Sequence, residues 1–542
     1  MKVIFSRVPL LLGGYLFLFV AATAAFAQPS TQPVSPPAGV AKPATATGAA
    51  SPAIVAKPAA QKGVDWFEIN GFYTIWGLNQ HRFLLGKAVE LDDADYIVHM
   101  LRVNLRLGTK KFGVVTRFDA AQGWWGANNS PDVENRASES GGTLTNAPVY
   151  NPYALFRNKD TNYGIHFDHA YLYLEVPWVP FPVRVQAGRQ YFGVGNKLVL
   201  DEDYDGIIVS AAPTKWLKLE FMWGKISEGK GAFKFPSGLL MTDKGVYGDA
   251  DLFGGRAFVR WTNHRLELFG LHYRDSSDST DWTYLPNGVG YLRNRFVPNL
   301  SKVTAFGLAL DGKCDCIGDG LTYKFEADLL VGSDDIANAN FAGGLLDVND
   351  GDLMGYNFYL NVVQKFAVGI PADLGLTFGL GSGDDDLRSG RGNINKIQTM
   401  GFFPLTNVWE DSVMPDIAGI SPQGLGSPVS RGYRELENTI ALQLKLGVQP
   451  WSPLRMELSY TYLRATQAIQ AWDATGPLDA SSSDIGHEID LNIKLDIYKK
   501  RVSYVALLGA FMPGTGAAYL INGNDAVKKT VFEAKQVLTV TF

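Results

Sequence analysis

The residues of this chain that could contact a ligand are charged side chains that alternate with apolar ones. Arginine can bind a carboxylate or a phosphate through two parallel hydrogen bonds, and a basic wall facing an acidic wall would orient polar solutes between them. Salt bridges that only solvate the wall are the alternative. The first part of the chain contributes Arg102, Arg106, Arg117, Arg184, Lys218, Arg256, Arg260 and Arg265, among Asp119, Glu175, Glu220 and Glu267. The second part contributes Glu326, Asp328, Glu437, Glu457, Glu488, Asp490, Asp496 and Glu533, among Lys324, Lys445, Arg455, Lys494 and Lys535.

The alternation itself predicts the strands that position these charges. In residues 489–497, isoleucine and leucine occupy every second position, with Asp490, Lys494 and Asp496 between them. Residues 96–108 repeat the pattern around Arg102 and Arg106. A period of two is typical of a strand with one apolar and one polar face. Because a charge on a lipid-facing surface at bilayer depth costs about 2–4 kcal/mol, we expect the charged faces to line the interior of a membrane barrel.

Composition supports a barrel over a series of soluble domains. The 542 residues include 58 glycines, 31 phenylalanines, 23 tyrosines and 12 tryptophans, while only 19% are charged. This balance suits a wall that meets lipid with every second residue. The formal net charge of -5 is mild, and no run rich in lysine and arginine is interleaved with aromatics. A nucleic-acid partner is therefore not expected.

Histidines next to carboxylates are the only hint of catalysis. His166 and His169 lie beside Asp168, and His487 lies beside Glu488. Neither group includes a nucleophile, a base and a residue to orient it. We therefore expect no enzymatic activity and no cofactor.

The two cysteines and two acidic clusters have plain interpretations. Only one residue separates Cys314 from Cys316, which would strain a mutual disulfide, and no further metal ligand lies nearby. An inert pair of turn residues and no metal site are expected. The acidic clusters at 201–205 and 384–386 could bind a divalent cation, but solvated loops are the simpler interpretation.

The first 62 residues differ from the rest. Lys2 and Arg7 precede an apolar stretch and an Ala-Phe-Ala sequence at 25–27, which predicts a secretory signal peptide over residues 1–27. Residues 28–62 are rich in proline, alanine, threonine and serine, so we expect a disordered periplasmic tether. Residues 63–542 are then the barrel.

Joins between the alternating runs are short and long in strict alternation, which is typical of an up-and-down barrel with short periplasmic turns and long extracellular loops. The short joins fall at 109–110, 179–181, 213–214, 262–264, 311–319, 367–371, 450–452 and 499–500. The long joins fall at 80–94, 123–162, 196–204, 226–250, 275–301, 333–351, 384–432, 466–484 and 515–527. The pattern predicts an all-β, transmembrane, antiparallel barrel of about 18 strands, with 16 as the fallback.

Residues 529–542 are the predicted closing strand. They alternate between an apolar and a polar face and end on Phe542. We expect this strand to pair with the strand that begins near Trp66 and to be recognised by the barrel-assembly machinery. The other expected partners are outer-membrane lipid and lipopolysaccharide, and a homo-oligomer is left open.

Three segments resemble the alginate-export porin family of outer-membrane barrels. They are VRVQAGRQYFGVGNKLV from Val183, LTFGLGSGDDD from Leu376 with FFPLTN from Phe402, and GHEIDLNIKLDI with ALLGAFMPG from Gly486. The resemblance implies eighteen strands and an arginine-rich constriction that passes a polyuronate. It also implies that Arg189 lines the constriction, although strand parity places Arg189 on the lipid side unless a bulge occurs at Gly188.

The long join at 384–432 contains apolar residues that do not suit a freely exposed loop. We expect it to fold into the barrel and narrow the pore. Its candidate constriction residues are Asp384, Arg388, Phe402, Phe403 and Trp409.

Two functions are compatible with such a barrel. The first is an outer-membrane porin that passes polar, anionic or saccharide solutes through a charged, water-filled lumen. The second is a barrel sheath within a multi-protein envelope complex, for example an electron-transfer conduit.

Overall fold

A computed structural model describes residues 66–83, 85–86, 93–122, 164–227, 250–275, 302–315, 320–335, 350–384, 405–413, 436–473, 476–498 and 501–542. Within these ranges the chain forms eighteen strands, one short helix and one π-helical turn. The predicted signal peptide, the tether and most of the predicted long loops lie outside the described residues.

The strands follow the alternating runs of the sequence. Their bounds are β1 Phe67–His81, β2 Asp93–Gly108, β3 Phe112–Gln122, β4 Gly164–Glu175, β5 Val183–Gly193, β6 Asp201–Ala211, β7 Leu217–Ser227, β8 Ala250–Trp261, β9 His264–Asp275, β10 Lys302–Cys314, β11 Leu321–Asp335, β12 Asp350–Val368, β13 Ile370–Gly381, β14 Thr439–Trp451, β15 Leu454–Asp473, β16 Gly476–Tyr498, β17 Val502–Pro513 and β18 Val531–Thr541.

Each strand pairs antiparallel with its neighbours in sequence, and the sheet closes on itself. β18 pairs with β1 from Phe532 opposite His81 to Thr541 opposite Phe72. The backbone N–H of Phe542 donates to the carbonyl oxygen of Gly71 at 3.0 Å, so the seam is hydrogen-bonded to the last residue. The prediction of an eighteen-strand up-and-down barrel is confirmed.

Two of the predicted long joins are wrong in their local structure. Residues 466–484 were expected to form a loop, but β15 and β16 run through this stretch and only residues 474–475 separate them. Their pairing becomes irregular beyond Leu463. The sequence AIQAWDATGPLDASSSD lacks a clear alternation of apolar and polar residues. The pattern therefore does not predict that the strands continue through it.

The expected loop at 515–527 contains the helix, α1, Thr515–Asn522. Its alanines and leucine are buried against β15, β16 and β17, and Gly523 ends it with a left-handed φ of 77°. The side chain of Trp472 donates from Nε1 to the carbonyl oxygen of Tyr519 at 2.7 Å. Among the described residues, no helix has the length and apolar character needed to cross a membrane.

The expectation of an inert cysteine pair is also wrong. Cys314, the last residue of β10, is disulfide-bonded, and the chain has only one other cysteine. Cys316 lies outside the described residues.

Candidate functional site in the barrel lumen

The strand faces divide as the alternation predicts. On β16, Ile489 and Ile497 are 44% and 55% exposed, whereas Glu488 and Asp490 are 0% and 2% exposed. Adjacent residues of a strand point to opposite faces, so the isoleucines lie on the outer surface and the carboxylates face the interior. The same division holds on β2, where Ile97 and Leu107 are exposed and Arg102 is buried.

Exposed aromatic residues surround the end of the barrel that carries the short joins and the C-terminus. They stand at strand ends or in the joins beside them, which is where a lipid interface selects amphipathic rings. They are Trp66, Phe112, Trp178, Trp216, Trp261, Trp451, Tyr498 and Phe542.

Arg102 is paired with two carboxylates of the lumen. Its Nε and Nη2 atoms donate to the two carboxylate oxygens of Asp119 at 2.6 and 2.5 Å, and Nη2 also donates to Asp168 at 2.5 Å. Asp119 is the register partner of Arg102 on β3. Two carboxylates therefore neutralise this guanidinium group.

Arg106, Arg117 and Arg184 face the same side of neighbouring strands but are paired more weakly. Arg117 donates from Nε to the Asn104 side chain at 2.9 Å, and its Nη1 lies 4.0 Å from Asp168. Arg106 donates from Nε to the hydroxyl of Tyr173 at 2.9 Å and lies 3.9 Å from Glu68.

A second basic group surrounds Phe258 on β8. The cationic groups of Lys218, Arg256 and Arg265 lie 5.6, 4.9 and 5.8 Å from the centre of this ring, within the range of a cation–π contact. Glu220 pairs with both Lys218 and Arg256 at 2.5 Å. Arg260, two residues from Phe258, is exposed.

The connection between β5 and β6 folds into the lumen rather than outward. The backbone N–H of Gly195 donates to Glu267 on β9 at 3.2 Å, and that of Asn196 donates to Glu326 on β11. The Asn196 side chain donates to the carbonyl oxygen of Phe325 at 3.2 Å. We call residues 194–200 the first inserted segment.

The first inserted segment also packs through apolar side chains. Val194, Val199 and Leu200 are at most 2% exposed and join a buried cluster of inward-facing residues from β5 to β12. The sequence pattern predicts an outer loop at 196–204, and this prediction is wrong for the inserted residues 196–200. The run of Val194, Leu198, Val199 and Leu200 was the available signal, because such residues do not suit an exposed loop.

Residues 405–413, which we call the second inserted segment, lie against the opposite wall. Glu488 accepts hydrogen bonds from the backbone N–H groups of Asn407, Val408 and Trp409 at 2.7, 2.8 and 2.7 Å. Successive backbone N–H groups form a concave anion site of the kind called a nest, and here a wall carboxylate fills it.

The ring of Trp409 is fully buried and stacks on Phe511 of β17, with ring centres 5.0 Å apart. Leu198 of the first inserted segment belongs to the same buried cluster as Val408 and Trp409. Leu198 therefore joins the first inserted segment to the apolar cluster of the second.

The other predicted constriction residues divide between described and undescribed parts of the chain. Asp384 is buried just after β13. Arg388, Phe402 and Phe403 lie outside the described residues. Arg189 donates from Nε to the carbonyl oxygen of Phe167 at 3.1 Å, at the position where the pairing of β4 with β5 ends. Gly188 has a φ of 125°, yet the register of β5 against β6 continues through it without a shift.

Several of the remaining predicted lumen charges form ion pairs on the later strands. Arg455 binds Asp373 through two hydrogen bonds of 2.8 and 3.0 Å and contacts Glu457 at 3.2 Å. Lys494 lies 3.9 Å from Asp496. Buried carboxylates of this region include Glu437, Asp328 and Asp490.

The acidic residues at 201–205 do not form the solvated loop that was expected. They open β6, where Asp201 pairs with Lys197 at 2.8 Å and Asp203 contacts His169 at 2.9 Å. No group of three or more residues suited to holding a metal occurs in the part of the chain that the structure describes.

No protein-family model matches this chain, and no curated protein sequence is similar to it. Among solved structures, OccAB1 of Acinetobacter baumannii is 12% identical, with a TM-score of 0.49 over 88% of this chain and 96% of that one. The outer membrane protein opdK of Pseudomonas aeruginosa is 10% identical, with a TM-score of 0.48 over 88% and 98% of the two chains. A BenF-like porin of Pseudomonas fluorescens Pf-5 is 10% identical, with a TM-score of 0.48 over 88% of this chain and 98% of that one. The barrel described above rests on the strand register of this chain, and the resemblance to alginate-export porins stays a prediction.

Proposed function

We propose that this chain is a passive channel of the bacterial outer membrane that favours anionic solutes. A closed barrel with an apolar outer surface and a charged interior satisfies every backbone group of the strands within lipid. The aromatic residues at the short-join end supply one membrane interface.

The observation that carries the anion preference is the unequal exposure of opposite charges. Lys218 is 41% exposed where its partner Glu220 is 6% exposed. Arg455 is 31% exposed, whereas its partners Asp373 and Glu457 are each 12% exposed. The pair of Arg106 (36%) with Glu68 (54%), at the start of β1, has the opposite order. The acidic wall is covered, since Glu326 and Glu488 are buried beneath the two inserted segments. A solute in the lumen therefore meets more cationic than anionic surface, although the formal charges of the whole chain favour acid.

The two inserted segments support a channel over a sheath for another protein. Both occupy interior space that a sheath would have to leave free for its partner. We propose that they form the constriction, and that the undescribed part of the 384–432 loop extends it.

Which anionic solute passes is a further part of the proposal. An arginine-rich lumen suits carboxylates and phosphates, and acidic saccharides belong to that group. An alginate-like polyuronate would be one example. We also propose that residues 28–62 form a periplasmic tether and that the barrel contacts lipopolysaccharide. The assembly machinery would recognise its last strand.

Reversal potentials across a planar bilayer test the proposal. The purified barrel would be inserted between two potassium chloride solutions of unequal concentration. We expect a potential of the sign that marks chloride permeation. A potential of the opposite sign, or the absence of any conductance from a folded barrel, would rule out an anion channel.

A further inference from the structure

We propose that Arg106, Arg117 and Arg184 form a binding site for a dianionic phosphoryl group in the lumen. This inference rests on the proposed function and adds a ligand class to it. The three guanidinium groups come from β2, β3 and β5. Arg106 pairs with Val115, which lies two residues before Arg117 on the same face of β3.

The strand register explains why these side chains converge. Asn104 pairs with Arg117 across β2 and β3, and Tyr173 pairs with Gln186 across β4 and β5. Arg106 and Arg184 both lie over the ring of Tyr173, with Cζ atoms 5.3 and 4.2 Å from its centre. The tyrosine thus holds two guanidinium groups close together despite their mutual repulsion.

Carboxylates do little to neutralise the three arginines. The contact of Arg117 with Asp168 is 4.0 Å long, and Asp168 binds Arg102 at 2.5 Å instead. Arg106 is 3.9 Å from Glu68.

Arg184 makes no ion pair within the described part of the chain, although Glu175 is its register partner on β4. Its Nε is buried and has no hydrogen-bond partner there. A buried donor without a partner is costly, and a bound anion toward which the Arg184 side chain turns would satisfy it.

The number of unused N–H donors on the three arginines indicates which class of ligand suits the site. Each guanidinium group has five N–H donors arranged as a planar fork. Arg106 uses donors on Tyr173 and on the carbonyl oxygen of Thr109, and Arg117 uses one on Asn104 and places Nη1 3.3 Å from Nε2 of His169. The remaining donors of three side chains outnumber the two oxygens of a monocarboxylate. A phosphoryl group has three or more acceptor oxygens and up to two charges.

Block of chloride current by added anions tests the site. The full-length barrel would be measured in potassium chloride at about pH 8, where phosphate monoesters carry two charges. Inorganic phosphate, glycerol 3-phosphate and acetate would be added separately. We expect phosphate to block the current at a concentration at least about tenfold lower than acetate, which corresponds to one additional charge-assisted hydrogen bond. Block by both phosphate compounds would identify the phosphoryl group of organic solutes, and block by inorganic phosphate alone would identify the free ion.

Substitutions test whether these arginines are responsible for the block by phosphate. Arg184→Gln should weaken phosphate block about tenfold, and Arg106→Gln provides a second variant if the first does not insert. The matched control is Arg265→Gln, because Arg265 faces the lumen with a similar exposure to Arg106 but is paired with Asp311 at 2.7 Å. The control should leave phosphate block within about twofold of the unchanged protein.

Equal block by phosphate and acetate would overturn the site, as would phosphate block that survives both arginine substitutions. The reversal potential in chloride alone separates this failure from that of the proposed function. An anion-selective channel without phosphate block loses only the site, whereas a cation-selective channel loses both.

Discussion

Both inserted segments are held by backbone N–H groups that donate to carboxylates of the wall, but the two segments differ in how many carboxylates accept these bonds. The first inserted segment divides its backbone donors between Glu267 and Glu326, which lie on different strands. The second places three successive backbone donors on Glu488 alone. A segment held by two carboxylates tolerates the loss of one of them better than a segment held by a single carboxylate. We therefore expect the second segment to respond more strongly to a single substitution.

Glu488→Ala should have the largest effect on this comparison. It leaves three buried N–H groups without an acceptor, at a cost of about 1–3 kcal/mol each. The second inserted segment should leave the wall, and single-channel conductance should rise. Glu326→Ala is the matched substitution in the first segment and should raise conductance less, because Glu267 still accepts from Gly195. A larger effect of Glu326→Ala would reverse the comparison.

Trp409→Ala should follow in size. Removing a fully buried tryptophan costs about 3–5 kcal/mol, and the stack on Phe511 is lost. We expect larger current fluctuations in single-channel recordings as the segment detaches intermittently. Trp178→Ala is the control, since this ring is exposed at a short join. Equal fluctuations in the two variants would show that burial of Trp409 does not hold the segment.

Gly195→Ala tests the close approach of the first inserted segment to the wall. A Cβ atom at this position would lie 2.5 Å from the carboxylate of Glu326, and the backbone φ is 55°. Gly369→Ala is the control for backbone strain alone, because φ is 76° there and no atom lies within 4 Å of the added carbon. We expect Gly195→Ala to lower the unfolding temperature of the barrel further than Gly369→Ala does. Equal shifts would mean that the contact with Glu326 is not tight.

The smallest expected effect is the coupling between the two segments. Leu198 shares a buried cluster with Trp409, so Leu198→Ala and Trp409→Ala should not be additive. A double-mutant cycle on the free energy of unfolding should give an interaction of about 0.5–3 kcal/mol. Additive effects would indicate that the two segments are held independently.

Sequence patterns predicted the wall of the barrel far better than its interior. Residues of β16 such as Ile489 and Asp490 alternate because one face meets an apolar surface, and this local rule needs no knowledge of other strands. The pairing of Arg102 with Asp119 and Asp168 depends on register and on the bulge in β4 near Phe167. Periodicity alone could not predict that the charge of Arg102 is neutralised.

The inserted segments were harder to predict because their positions depend on contacts distant in sequence. Apolar residues around Trp409 indicated that this stretch avoids water, but they did not identify Glu488 as its anchor. For residues 196–204, the alternation of short and long joins predicts an outer loop, and it carries no information about the contacts of this stretch with Glu267 and Glu326. The charge pattern predicts that Glu326 and Glu488 face the pore in an acidic wall, whereas both are buried beneath backbone N–H groups.

The most direct test of the proposed anion preference compares the reversal potentials of the unchanged protein and Trp409→Ala in the same potassium chloride gradient. Trp409→Ala carries the same formal charge but should uncover Glu488 and Asp490 by releasing the second inserted segment. We predict an anion-selective potential for the unchanged protein and a shift toward cation selectivity for the variant. A cation-selective unchanged protein would contradict the proposal. An anion-selective variant that conducts more but keeps its selectivity would show that the inserted segments do not mask the acidic wall.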